Sequence, residues 1–245
     1  MINGERNILW PSVVRWYAKS SGTTNDKSKF LPVTPEILKG CHYKGGFDCV
    51  AIYLRNNPES RFFSKKGLIL GGSHSPSPLN SEAHQGDLSA VLLQNLNPLV
   101  NLIRIPKKPI ILMDEWESKI KAIVENTWNK DVNSLSGVPS WMLVLIKAVL
   151  KKTGKEYLTD VWPNLEVFFH GGISFEPYRE QYKTLIPSNK MHYMETYNAS
   201  EGFFGLQDDP ADPSLLMMPD YGIFYEFIPM NEVGSAHPVS YTHLR

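Results

Sequence analysis

Three short polar segments, each carrying glycine and each following a β-prone run, constrain this chain more than any other feature. Ser20-Ser21-Gly22-Thr23-Thr24 follows the aromatic and β-branched stretch 8–17. His170-Gly171-Gly172 follows LEVFF at 165–169, and Asn198-Ala199-Ser200-Glu201-Gly202 follows MHYMETY at 191–197. Strands that alternate with helices of ten or more residues predict an α/β fold, with largely parallel sheets and flanking helices. In such sheets ligands bind beyond the carboxyl ends of the strands. The three turns are therefore expected where a site would form.

The helical signals between these runs are specific. Thr34-Pro35-Glu36 places a capping hydroxyl, a proline at the first helical position and an acid in the first turn, and predicts a helix running towards Leu54. Gly40, Gly45 and Gly46 interrupt it, so close packing or a break is expected there. Asp114 with Glu117 reads as a capping box. Trp116, Ile120, Ile123, Val124 and Thr127 then recur on one face, with the lysines and glutamates as a solvated face. Pro139 opens an apolar helix that Gly154 closes. GLILGG at 67–72 and VNSLSGV at 132–138 read as buried strands ending in turns, and 88–103 as an apolar core helix interrupted by Pro98. The proline-rich 73–86 reads as a loop, with His74 and His84 solvated in it. The segment 221–228 reads as a strand.

Of the 245 residues, 42% are hydrophobic and 20% charged, which suits a folded domain with a substantial core. Lysine and arginine total 25 and so do aspartate and glutamate, so no global field favours nucleic acid or an anionic membrane, and any polyanion must be held by local groups. A small-molecule partner is expected, with no nucleic acid and no membrane. Cys41 and Cys49 fall in the same predicted helix, about 12 Å apart along its axis, beyond disulfide reach. They read as buried thiols in a reducing compartment. With no signal peptide and no membrane-spanning run, a cytoplasmic location is expected.

The hydroxyl-rich segment has the chemistry of an anion cradle. Gly22 lets backbone N–H groups line up as a nest while Ser20, Ser21, Thr23 and Thr24 donate, and Lys27 and Lys29 follow. It is not the Walker pattern, and such a run is also compatible with a solvated loop.

Together, SSGTTNDKSKFLP, HGGISFEPY and YNASEGFFG resemble, in this chain order, the motifs of the Gretchen Hagen 3 family of acyl-acid amido synthetases, the auxin-responsive promoter family, within the acyl-adenylate-forming superfamily. The likeness extends to GGSH and SGVPSW and is strongest to bacterial members. It implies a ligase that uses ATP and Mg²⁺ to turn a small carboxylic acid into an acyl-adenylate, which an amino acid then attacks. It further implies that Ser20, Ser21, Gly22, Thr23 and Thr24 hold phosphates, with Lys29 as a catalytic charge. Glu201 would be catalytic and hold the metal, Tyr197 would wall the adenine with Ser200 beside it, and Gly171 and Gly172 would admit the base. Each residue alone also has an ordinary structural reading: a turn acid, a core aromatic, a surface lysine, and for His170 a hydrogen-bonded strand end. Asn198 departs from the plant pattern.

The resemblance also sets expectations for organisation. Residues 1–234 would be a partial adenylation domain, part of the large domain of such enzymes. Residues 235–245 would be a truncated or non-native tail, with the closing C-terminal domain absent, so that the fragment alone is expected to be inactive. An acyl-CoA ligase is the alternative enzyme, and a non-catalytic nucleotide-binding module the alternative of another class.

Overall fold

The computed structural model describes residues 2–5, 7–11, 13–20 and 29–230. In chain order, strands β1 (Trp16–Ser20) and β2 (Lys29–Pro32) lead into helix α1 (Pro35–Ile37), a π-helical turn (Leu38–Tyr43) and α2 (Lys44–Asn56). Then come β3 (Lys66–Ile69), β4 (His74–Ser77), β5 (Asn80–Gly86), α3 (Leu88–Asn95), β6 (Arg104–Ile105), α4 (Lys108–Ile111) and α5 (Trp116–Thr127). The rest comprises β7 (Val132–Gly137), α6 (Pro139–Thr153), α7 (Leu158–Val161), β8 (Val167–Gly171), α8 (Arg179–Leu185), β9 (His192–Ala199), β10 (Gly202–Leu206) and β11 (Leu216–Met217).

Seven strands form one sheet in the order β11-β10-β9-β8-β7-β3-β6, and four form another, β2-β1-β5-β4. From β9 to β6 every neighbour in the large sheet is parallel, while β10 and β11 are antiparallel additions. The expected α/β class with parallel strands and flanking helices is therefore the observed one. The central parallel strands β7 and β8 are buried on both faces, as crossover helices require. One face packs Leu68, Leu135 and Phe168 against Ile123 of α5, Ile146 and Val149 of α6 and Tyr182 of α8. The other face packs Phe203 and Leu206 against Cys41 and Cys49, and Val167 and Met194 against Tyr53 of α2.

The helix opened by Thr34 forms as its caps predict, with the threonine Oγ1 accepting from the Ile37 N–H at 3.3 Å. Its glycines have different fates. Gly40 sits in the π-helical turn, whereas Gly45 lies under the Phe203 ring, where a Cβ would come within 2.4 Å of the ring. Gly46 faces open space. Both cysteines are free and buried.

Several expectations are corrected. Residues 74–86 form a hairpin rather than a loop, since β5 pairs in parallel with β1 (Trp16 opposite His84) and β4 occupies the sheet edge, where Pro76 is tolerated. His74 and His84 are half-buried against Trp16, with ring centroids 5.1 and 4.8 Å from it. In 88–103 the helix ends at Asn95, and the core is reached by Ala90, Val91 and Leu93 while Leu99 is exposed. The cap of α5 is Glu115, not Asp114; its carboxylate accepts from the Glu117 and Ser118 N–H groups. Residues 221–228 are not a strand: β10 is flanked there only by Leu216–Met217. Side chains hold the segment instead, the Tyr221 hydroxyl donating to Asp48 at 2.6 Å.

Replacing Gly45 by alanine forces the Phe203 ring to move and is expected to cost about 1–3 kcal/mol. Gly46→Ala, in the same helix with room for the methyl, should instead be neutral or stabilising by up to about 1 kcal/mol. Urea unfolding of the two variants checks this, and equal effects would contradict the packing.

Candidate functional site

Parallel pairing gathers the carboxyl ends of β3, β7, β8 and β9 on one edge of the large sheet. Gly71–Gly72, Gly137–Val138 and Gly171–Gly172 leave three of these ends, and β9 turns into β10 through Ser200–Glu201. Gly171 stands opposite Thr196, so close that a Cβ would lie 2.3 Å from the Thr196 carbonyl oxygen, and Gly172 has φ +85°. Gly171 is thus packed backbone against backbone, while Gly172 is exposed in a left-handed conformation that favours glycine. The Thr196 hydroxyl donates to the His170 carbonyl at 3.0 Å and locks the two strand ends together.

Around this edge, Tyr197 is 56% exposed with its ring 5.0 Å from that of Phe204, so it is not a core aromatic. Ser200 is half-buried and Glu201 exposed. Asn198, the departure from the plant pattern, is tied from below: its Oδ1 lies 2.8 Å from His42 Nδ1 in the π-helical turn. Burial lowers the His42 pKa, against a smaller opposing effect of the Asn198 bond. Cys41, next to it, accepts the Phe203 N–H at 3.1 Å, and burial raises its thiol pKa.

The smaller sheet meets the same edge. Ala18 of β1 is in register with Gly86 of β5, the Asp87 N–H donates to the Ser73 carbonyl at 3.0 Å, and the Ser73 N–H donates to the Asp87 carboxylate at 3.1 Å. The carboxyl end of β1 is thus linked through β5 to that of β3. Ser20 ends β1 and pairs with Lys29, which is exposed at the start of β2. Ser21, Gly22, Thr23, Thr24 and Lys27 lie outside the described residues. Of the predicted site residues, Gly171, Gly172, Tyr197, Ser200 and Glu201 share one edge, and Ser20 and Lys29 stand at the adjoining strand end.

His170 does not join them. Its ring is 2% exposed and stacks on Phe175 at 4.2 Å; burial, and secondarily the Arg179 charge, lower its pKa to about 3. It is a neutral imidazole on the α8 face of the sheet.

Lys119 corrects the reading of the α5 charges as a wet face. It is 2% exposed, and its ammonium donates to the Gly71 and Gly72 carbonyls at 2.9 and 3.1 Å. Burial lowers its pKa while Asp87 and Asp114 oppose the shift. The Asp114 carboxylate also accepts the Ser73 hydroxyl at 2.7 Å. Position 119 falls on the same helical stripe as Trp116, Ile120 and Ile123, and that was the signal for its burial.

For a metal, the donor set is sparse. Among the described residues no group of three or more His, Cys, Asp or Glu could hold an ion. The lone carboxylate of Glu201 at an open turn suits only an ion that brings most of its oxygen ligands with it, as Mg²⁺ on phosphates does.

Residues 1–191 match the model of the GH3 family N-terminal domain. The chain belongs to the GH3 family. Its motifs, read in order, point to the same family, and YNASEG lies just beyond the matched span. No curated protein sequence matches the chain. Among solved structures, a GH3.15 acyl acid amido synthetase is similar at TM-score 0.64 and 14% identity, over 89% of this chain and 47% of that one. The AtGH3.15 acyl acid amido synthetase in complex with 2,4-DB is similar at TM-score 0.64 and 16% identity, over 89% of this chain and 48% of that one. The chain spans about half the length of the structures it matches. Among the described residues no helix is long and apolar enough to cross a membrane.

Two stability outcomes follow for this GH3 chain. Lys119→Met leaves two buried carbonyls and two aspartates without their cation and should cost about 1–3 kcal/mol in denaturant unfolding. His170 binds a proton in the unfolded chain below its ordinary pKa of 6.5 but not in the fold until about pH 3. Its contribution is thus fully present above pH 6.5 and is lost as pH falls through that window, by up to about 1.4 kcal/mol per pH unit. His170→Phe should flatten the acid limb by about that slope, and an unchanged limb would show the imidazole to be protonated in the fold.

Proposed function

We propose that this chain is the nucleotide-binding part of an ATP-dependent acyl-acid amido synthetase. The observation that carries the reading is the shared edge of Gly171, Gly172, Tyr197, Ser200 and Glu201, in a chain of the GH3 family. In the proposed reaction a carboxylate oxygen of a small acid attacks the α-phosphorus of ATP, forming the acyl-adenylate as the bond to pyrophosphate breaks. The amine of an amino acid then attacks the activated carbonyl, AMP leaves, and the amine gives up a proton. Adenylation is assigned to a polypeptide of the length of the matched structures, twice that of this chain.

Each group has a physical task. The hydroxyls and N–H groups of 20–24 donate to phosphate oxygens on which charge accumulates, and Lys29 adds a point charge. Exposed backbone at Gly172, next to Gly171, lets the base approach edge-on, and the exposed Tyr197 ring supplies a stacking surface. Asn198 is engaged by His42 and so takes the role of a tether for the β9 end rather than a base contact. Glu201 would hold Mg²⁺ together with the nucleotide phosphates, the ion neutralising phosphate charge when bound.

In the full-length context, acid-dependent exchange of labelled pyrophosphate into ATP tests adenylation, and product analysis with amino acids against coenzyme A tests the acceptor. Glu201→Ala should abolish most exchange. Ser21→Ala should cost no more than the loss of one preorganised donor, about 2.7–4 kcal/mol, because neighbouring donors share its oxygen. Full exchange in Glu201→Ala would remove the metal assignment, and thioester products would replace the synthetase by an acyl-CoA ligase.

A further inference from the structure

Three consecutive residues of the π-helical turn reach three different elements. The Cys41 sulfur accepts the Phe203 N–H of β10 at 3.1 Å, the His42 ring meets Asn198 of β9 at 2.8 Å, and the Tyr43 hydroxyl donates to the Leu92 carbonyl of α3 at 2.9 Å. Asn198 and Phe203 stand opposite each other across β9 and β10, and the chain between them turns through Ser200 and Glu201. Adjacent residues of one turn thus hold both legs of the hairpin that carries Glu201. Single π-helical turns of this kind are frequent at functional sites.

The same turn is anchored to the smaller sheet. Only Val33 and Thr34 separate β2 from α1, which runs directly into it. The Val33 N–H donates to the Trp16 carbonyl of β1 at 2.8 Å, and Leu38 shares a core with Ala18 of β1 and Val91 of α3. Ser20 ends β1 and Lys29 opens β2. The π-helical turn is therefore a strut between the strands that bear Ser20 and Lys29 and the hairpin tip that bears Ser200 and Glu201.

As a packing residue, His42 would be a poor choice. It is 3% exposed, and its Nε2 is buried with no hydrogen-bond partner among the described residues, a desolvation cost that a leucine would not carry. What the imidazole supplies is a directed donor. The Asn198 oxygen can only accept, so the proton sits on Nδ1, and burial keeps the ring neutral.

We propose that His42 is a positioning residue for metal binding: by holding Asn198, while Cys41 holds Phe203, it fixes the Ser200–Glu201 turn where Glu201 meets the Mg²⁺ of the nucleotide. This role rests on the assignment of Glu201 to the metal.

Amide hydrogen exchange of the 245-residue chain, without nucleotide or metal, reads the clamp. His42→Leu should speed exchange across 199–202 by at least about threefold, the loss of one hydrogen bond. His42→Asn, whose side-chain amide puts a donor where Nδ1 stands, should restore the protection. Lys39→Ala, exposed in the same turn, should exchange as the unaltered chain does. In the full-length context, electron paramagnetic resonance of Mn²⁺ titrated with ATP reads the positioning. His42→Leu should weaken Mn²⁺·ATP by about three- to tenfold, but ATP in excess EDTA, followed by calorimetry, by less than about twofold. His42→Asn should recover the loss, and in a Glu201→Ala background His42→Leu should add nothing, since it acts through Glu201.

Unchanged exchange in His42→Leu, or equal losses with and without metal, overturns the proposal. If Glu201→Ala binds Mn²⁺·ATP as the unaltered enzyme does, the metal assignment falls and the positioning role falls with it. A loss in Glu201→Ala with none in His42→Leu removes the positioning role alone. If His42→Leu fails to fold by circular dichroism, Asn198→Ala, which removes the acceptor at a half-buried position, takes its place in both measurements.

Discussion

The parallel pairing of β8 with β9 is the constraint on which the rest depends. Gly171 sits opposite Thr196 with no room for a side chain, and the Thr196 hydroxyl closes on the His170 carbonyl, so two strand ends meet in a fixed register. A shift of one residue would exchange the faces of every side chain on β9. Tyr193 and Glu195 would leave the α8 side, and Met194 would leave the Tyr53 cluster that α2 supplies. The register therefore fixes two cores as well as the shared edge, and it requires glycine at 171, where backbone meets backbone.

Periodicity made most of the large sheet legible. The β3, β7, β8 and β9 runs and the α5 and α6 helices carry their own signals, because a strand buried on both faces must be apolar and a helix covering it must have one apolar stripe. What could not be read was structure created by distant partners. The β4–β5 hairpin is polar and proline-bearing, and it exists because β1 pairs with β5 and Trp16 packs on two imidazoles. Residues 221–228 fail in the opposite sense: their β-propensity is strong, yet propensity reflects packing on a neighbour, and here Tyr221 is engaged by Asp48 and Phe203 instead.

The site shows the same division. Glycines and the polar turns after β8 and β9 were visible because the backbone itself demands them. Lys119 was hidden by the ordinary rule that lysine faces water; its ammonium is buried because two strand-end carbonyls accept from it and the charges of Asp87 and Asp114 favour it. Asn198 was a departure without a reason until His42, 156 positions earlier, supplied one. Partners joined across such separations leave no local pattern in the chain: the helical stripe marks position 119 as buried, but only the fold shows which groups accept its ammonium or tether the Asn198 amide.

Those buried polar groups account for how a chain with equal numbers of acids and bases can present a polar edge without a strong field. Lys119 neutralises the junction between the two sheets from within, and the buried His42 and His170 are both lowered in pKa, so the imidazoles beneath the edge add no charge to it. Alternation along β9 then divides the labour. Odd positions 193 and 195 turn to a cavity under α8, Tyr197 on the same side reaches the open end, and Asn198 turns back to the π-helical turn. One strand thus borders both the edge and the cavity, with His170 and Glu195 paired across β8 and β9 within two positions of Gly172 and Tyr197.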